Sequence, residues 1–194
     1  MANRKAIILL SLICWPLLGQ SPAAASHDPR IKFKDGTRYL RDLSAALHIP
    51  RESICKELGL YDCYSDAFRI VLGGVEPYRD AIVEPLESAS LTSPIALDRV
   101  ALRVCTLRVT EDAKDPQNAI LFRPGTHDMK WRKEVASLIY DALLQRGATG
   151  QEVERLIRFY DTVAAEGRPA PDTAHDWTVL SCFAVSSSLE SIFY

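Results

Sequence analysis

The stretch DWTVLSCFAVSSSLESIF, from Asp176 to Phe193, decides how the chain is read. Trp177, Val179, Leu180, Phe183, Val185, Leu189 and Ile192 leave almost no polar side, so a helix here is apolar nearly all round. Such a helix belongs at the centre of a bundle, because an amphipathic surface helix keeps a polar face for water. Cys182 lies in its middle. The remaining segments then have to be helices that cover it.

Those covering segments carry helical spacing and helix-end signals. Before the central stretch, Thr149-Gly150-Gln151-Glu152 has the form of a capping box, and Val153, Leu156, Ile157, Tyr160, Val163 and Ala164 share one face as far as Gly167. Pro169 and Pro171 suggest an extended linker between the two helices. Asp128 is placed to cap a helix to Arg146 with Trp131, Val135, Leu138, Ile139 and Ala142 inward. Ser93-Pro94 opens another, running to about Val109, with Leu97, Val100, Ala101, Val104 and Cys105 inward and Asp98, Arg99, Arg103 and Thr106 on a polar side. Between these two, Ala119 to Phe122 reads as a short strand or a buried loop.

Toward the N-terminus, Ile31 to Lys34 alternates as a short extended piece, and Thr37 opens a helix to Leu47 that ends at Pro50. Arg51 to Leu58 predicts a helix closed by Gly59, and Tyr64 to Leu72 a third, stopped by Gly73-Gly74. The expectation is an all-α fold of six to seven helices around one core, with a long irregular connection from Gly73 to Thr92. Long connections of this kind often carry contacts with ligands or partners. Tyr78 in that connection, and Arg99 with Arg103 as a grip for an anion, are the candidate binding residues. The alternative packs Tyr78, Ile82, Val83 and Leu86 onto the helices.

The first residues carry an address. Arg4 and Lys5 precede an apolar run from Ala6 to Gly19, and Ala23-Ala24-Ala25 supplies the small residues for cleavage before Ser26. Residues 1–25 are therefore expected to be a signal peptide and 26–194 a single helical domain that is periplasmic or extracellular. The run is too short for a stable transmembrane anchor, which needs about 20 apolar residues. Beyond residue 25 the chain holds 21 Lys and Arg against 25 Asp and Glu, an acidic balance that argues against a nucleic-acid partner. The helix–turn–helix spacing near Pro50 is accordingly read as a packed corner.

Loss of Cys14 with the signal leaves Cys55, Cys63, Cys105 and Cys182, an even number that suits two disulfides in an exported chain. Of the three connectivities, Cys55–Cys63 with Cys105–Cys182 is favoured. Pairing of Cys55 or Cys63 with a C-terminal cysteine stays open.

For chemistry, the repeated dipeptides His127-Asp128 and His175-Asp176, each close to a tryptophan, offer two imidazoles and two carboxylates for acid–base work or a metal. Capping of the following helices accounts for both aspartates without any activity. No nucleophile elbow, phosphate-binding glycine loop or haem-attachment motif occurs, and neither a cofactor nor a metal is expected.

Trp177 to Ser181, with Leu189 to Tyr194 and the preceding Gln151 to Leu156, is similar to the closing helices of large exported bacterial proteins that accompany c-type cytochrome modules. The similarity spans about a quarter of the chain, and Ser191 stands where that family prefers Phe. The resemblance implies a place beside an envelope electron-transfer system. The expected function is an exported binding or structural module with a protein partner in the cell envelope; the rival is a small periplasmic enzyme or metal-binding protein using the His/Asp pairs.

Overall fold

A computed structural model describes residues 32–193, apart from 58, 80, 85–89 and 126. The expected signal peptide lies outside the described residues, as does Leu86. Within them the chain is mostly helical. Helix α6, Ala170–Ser186, occupies the middle and packs against α3 (Ser93–Lys114), α4 (Met129–Leu144) and α5 (Gly150–Ala164), while α1 (Gly36–Leu47) closes over α3 and α4. Two single turns, α2 (Arg51–Ile54) and α7 (Leu189–Ile192), complete the set.

The central position of α6 follows from its side chains: Ala174, Trp177, Thr178, Ser181, Cys182 and Ser186 are all sealed from solvent. Its bounds differ from the expectation at both ends. Pro169 and Pro171 belong to the start of the helix, where a missing N–H costs nothing and a fixed φ suits the first turn. At the other end the chain leaves the helix at Ser187, and Ser188 caps α7 by accepting from the Ser191 amide.

Cys105 of α3 and Cys182 of α6 are joined by a disulfide with Cα atoms 5.8 Å apart, which pins the two longest helices at their crossing. Tyr39 of α1 adds a second tie by donating its hydroxyl to the Ser186 carbonyl at 3.0 Å. Burial raises the Tyr39 phenol well above its ordinary value, and Asp98 adds to the shift, so it remains a donor throughout the usual pH range. The N-terminal extended piece is held by the C-terminal end. Phe33 bridges Phe193 in antiparallel fashion, the Lys34 amide donates to the Ile192 carbonyl, and the two phenyl rings meet edge to face.

Helix α3 contains an ion pair inside the core. Arg108 donates to Asp112 one turn on, and also to the Leu47 carbonyl at the end of α1. The fully buried Asp112 carboxylate in turn accepts the amides of Ile120, Leu121 and Phe122 at 2.7–3.0 Å. Residues 119–122 are thus a buried loop whose backbone is satisfied by one side chain, as buried amides require.

The corner before α3 departs most from expectation. Helix α2 stops at Ile54 because Cys55 is extended (φ −151°, ψ 126°) and enters a two-stranded hairpin, β1 (Lys56–Glu57) with β2 (Tyr61–Asp62). The Cys55–Cys63 disulfide, Cα atoms 5.4 Å apart, closes that hairpin. Gly59, with φ 73°, sits in its tip and not at a helix end. Beyond it a π-helical turn, Cys63–Ala67, replaces the expected helix, and Asp62 caps it by accepting the Tyr64 and Ser65 amides. Gly36 at the start of α1 lies so close to this turn that a Cβ there would fall 2.6 Å from Leu72 and 2.8 Å from Tyr64.

The following connection has structure of its own. Glu76 and Ile82 pair in both directions through their backbones, and Arg69 is salt-bridged to Glu76. Ser93 is buried and donates to the Val71 carbonyl at 2.6 Å, so it anchors this connection where the sequence had suggested a cap for α3. Among the described residues no helix is long and apolar enough to cross a membrane.

Candidate functional site

The two His-Asp dipeptides meet at one aromatic cluster. Phe122, held in place through the Asp112 loop, stacks on His127 (ring centres 6.2 Å apart) and meets His175 edge to face at 5.9 Å. Trp131 lies 4.8 Å from His127 and 5.7 Å from Trp177, which in turn contacts Tyr160 at 5.4 Å. Edge-to-face contacts of this kind stabilise a cluster beyond the area they bury. Both indoles are also anchored, Trp131 donating to the Arg123 carbonyl and Trp177 to the Leu156 carbonyl.

The carboxylates of those dipeptides do different things. Asp128 caps α4 by accepting the Trp131 amide at 2.8 Å. Asp176 does not cap a helix: it sits inside α6, paired with Arg168 and within 3.3 Å of the His175 ring. His127 takes a left-handed backbone (φ 53°), and its Nε2 is enclosed with no hydrogen-bond partner among the described residues. Burial, assisted by the nearby Arg132 charge, moves its pKa below the ordinary histidine value. Arg132 is itself committed, stacked on the Tyr160 ring at 3.6 Å, donating to the His127 carbonyl and lying 3.5 Å from Asp161. Among the described residues no group of three or more His, Cys, Asp or Glu side chains is arranged to hold a metal ion.

The other candidates lie on a different part of the molecule. Arg99, Leu102, Arg103 and Thr106 form one stripe along α3, at the spacing that aligns side chains on a helix face. With Cys55 and Lys56 of the hairpin region they line a groove of about 420 Å³. Arg99 also lies over the Phe68 ring. Among the described residues neither Lys56 nor Arg103 has a carboxylate partner. Sequence reading had found the two arginines but not Lys56 or Leu102, because the hairpin that brings Lys56 to α3 was read as helix.

Tyr78 stands at the tip of the Glu76–Ile82 pairing and is 97% exposed. Val83 is 71% exposed, so neither side chain packs on the helices, while Ile82 is half-buried. A wider depression of about 580 Å³ on the outer side of α4, lined by Lys133, Glu134, Ser137, Leu138 and Asp141 among others, mixes charges of both signs and focuses neither.

Comparison with protein-family models, with curated proteins and with solved structures finds no match for the chain.

Proposed function

We propose that this chain is an exported binding module that recognises a protein partner in the cell envelope through the corner formed by the hairpin and the connection to α3. One observation carries the reading. Of ten exposed large apolar side chains among the described residues, seven fall between Leu60 and Ile95: Leu60, Tyr61, Val75, Tyr78, Val83, Leu91 and Ile95. Single apolar residues at a surface need no explanation, whereas seven within one stretch of the chain support a partner-binding surface there. The two disulfides support export, since cysteines of this kind persist in oxidising compartments. A place beside an envelope electron-transfer system rests on the resemblance of the last helices.

A photo-crosslinking amino acid at Tyr78 or Leu91, in cells that export the protein, should yield a discrete adduct that is absent when the same group replaces Met129 or Leu189. Those two residues are exposed and apolar but lie elsewhere in the chain. Adducts at all four positions, or at none, would refute the reading.

A second reading, a small periplasmic enzyme or metal-binding protein, is favoured by the meeting of His127 and His175 on Phe122. It requires that purified protein hold stoichiometric metal or show turnover that is lost in both His127→Asn and His175→Asn. The commitments of Asp128 to α4 and Asp176 to Arg168 weigh against it.

A further inference from the structure

We propose that Cys55–Cys63 is a site of thiol–disulfide exchange: a small dithiol entering through the groove along α3 reduces this bridge and releases the hairpin, while Cys105–Cys182 stays oxidised. The exchange depends on the bridge alone and not on any partner of the corner.

The two bridges differ in access, which governs which disulfides exchange. Cys105 and Cys182 are both 0% exposed, on two helices packed against each other in the core. A reductant meets that bond only after the helices part, so its opening is limited by unfolding. Cys55 keeps 7% of its surface and forms part of the wall of the 420 Å³ groove, beside Leu102, which is 42% exposed. Cys63 is 1% exposed at the start of the π-helical turn. Attack therefore falls on Cys55, and Cys63 is the leaving thiol.

What holds the thiols together once the bond opens also differs. Packing of α3 on α6 keeps Cys105 opposite Cys182 and favours reclosure. The hairpin has only two residue pairs, Lys56 with Asp62 and Glu57 with Tyr61, and one further bond from the Cys63 amide to the Cys55 carbonyl at 3.2 Å. A ladder that short does not persist by itself in water. Leu60 and Tyr61 are exposed and supply little packing in place of the bridge. Both ends stay anchored, because Ile54 is fully buried and the Asp62 carboxylate caps the turn that follows. Reduction thus frees the hairpin and leaves the helices in place.

The exchange takes two steps. One thiolate of the dithiol attacks Cys55 Sγ, the protein S–S bond breaks, and Cys63 leaves as a thiolate. The second thiolate then attacks the reductant sulfur bound to Cys55, and Cys55 leaves in turn. The dithiol loses two electrons in becoming a disulfide, the bridge gains them, and the two protons given up by the dithiol end on the two cysteines.

The test treats the oxidised full-length protein with millimolar dithiothreitol in the absence of denaturant, quenches with iodoacetamide at intervals and locates the alkylated cysteines by peptide mass spectrometry. Cys55 and Cys63 should be alkylated together, at least roughly tenfold faster than Cys105 and Cys182, with helical circular dichroism unchanged. Amide hydrogen exchange should rise in the hairpin after reduction and stay as it was in α3. Leu102→Trp, which fills the groove beside Cys55, should slow the alkylation, whereas Leu189→Trp, exposed elsewhere, should not. Equal rates for the two bridges, prior opening of Cys105–Cys182, or opening of Cys55–Cys63 only in urea would overturn the proposal. So would a reduced hairpin as protected as the oxidised one, or an unchanged rate in Leu102→Trp.

Discussion

Two disulfides hold two different kinds of region. Cys105–Cys182 joins α3 and α6, with both cysteines fully buried. Cys55–Cys63 closes a short hairpin at a corner where Leu60 and Tyr61 face solvent. The first bridge spans 77 residues and the second 8, so in the chain-entropy account they restrict the unfolded state by about 4.5 and about 2.5 kcal/mol. The same bond therefore serves stability in one place and the shape of a surface in the other. Stability is concentrated where nothing is left exposed, and binding is proposed where apolar groups are exposed in spite of a rigid frame.

The sharpest way to break this comparison is to attack the buried region away from its disulfide. Asp112→Ala leaves the buried Arg108 with only the more exposed Glu111 carboxylate at 3.4 Å, and three backbone amides without their acceptor, and should cost about 3–5 kcal/mol in urea unfolding. A loss below about 1 kcal/mol would mean that the 119–122 loop is held by its apolar contacts alone.

Next come the bridges themselves. Cys105→Ala/Cys182→Ala should lower the unfolding free energy by about 4.5 kcal/mol. Cys55→Ala/Cys63→Ala should cost about 2.5 kcal/mol, leave the helical circular dichroism nearly intact and loosen the groove. Equal losses for the two pairs, or a collapse of helicity in the second, would erase the distinction between the regions.

A smaller effect reports on the aromatic cluster. Because His127 titrates below its ordinary value of about 6.5, the unfolded chain binds the proton more readily than the folded one. Stability contributed by neutral His127 is complete above about pH 6.5 and declines as pH falls from there toward the lowered folded value. Trp131, 4.8 Å away, should report the same event as a fluorescence change with a midpoint below 6.5, absent in His127→Asn, a residue that tolerates the left-handed backbone. A midpoint at or above 6.5 would contradict the enclosed position of the ring.

At more acidic pH, Glu152 provides a further step. Its hydrogen bonds from Arg146, and then from the Thr149 amide, hold its pKa at about 2, and Glu190 is lowered by the same arginine. Since these carboxylates are depressed in the folded state, their contribution is present above the ordinary carboxylate range and lost as pH falls toward 2. Arg146→Gln should flatten that part of the stability profile, and an unchanged profile would show that the exposed network contributes nothing measurable.

What could be read from the residues alone divides along the same line. The capping box at Thr149, the Asp128 cap, the central last helix and both disulfide pairings were legible, since each depends on neighbours in sequence or on a small number of cysteines. The helix expected over 51–58 was not, because tertiary pairing of Cys55 with Cys63 draws the backbone into a hairpin that overrides a helical pattern. The prolines before α6 were read as a linker although the first turn of a helix accepts them equally well. Asp112 escaped notice because Arg108 and Asp112 look like an ordinary surface pair at helical spacing; only the fold reveals that both are enclosed and that the carboxylate organises a distant loop. Likewise, the groove needed the hairpin to bring Lys56 to the α3 stripe, a proximity that no local pattern encodes.

The central claim is that the exposed apolar side chains of the corner are there for a partner and not for the fold. Replacing Tyr78, Val83 and Leu91 together by serine tests it most directly, with unfolding and partner retention measured on the same protein. The account predicts a stability within about 0.5 kcal/mol per site of the parent, as for exposed positions generally, and loss of the crosslinked partner captured by the parent chain. A marked drop in stability with the partner still captured would contradict it.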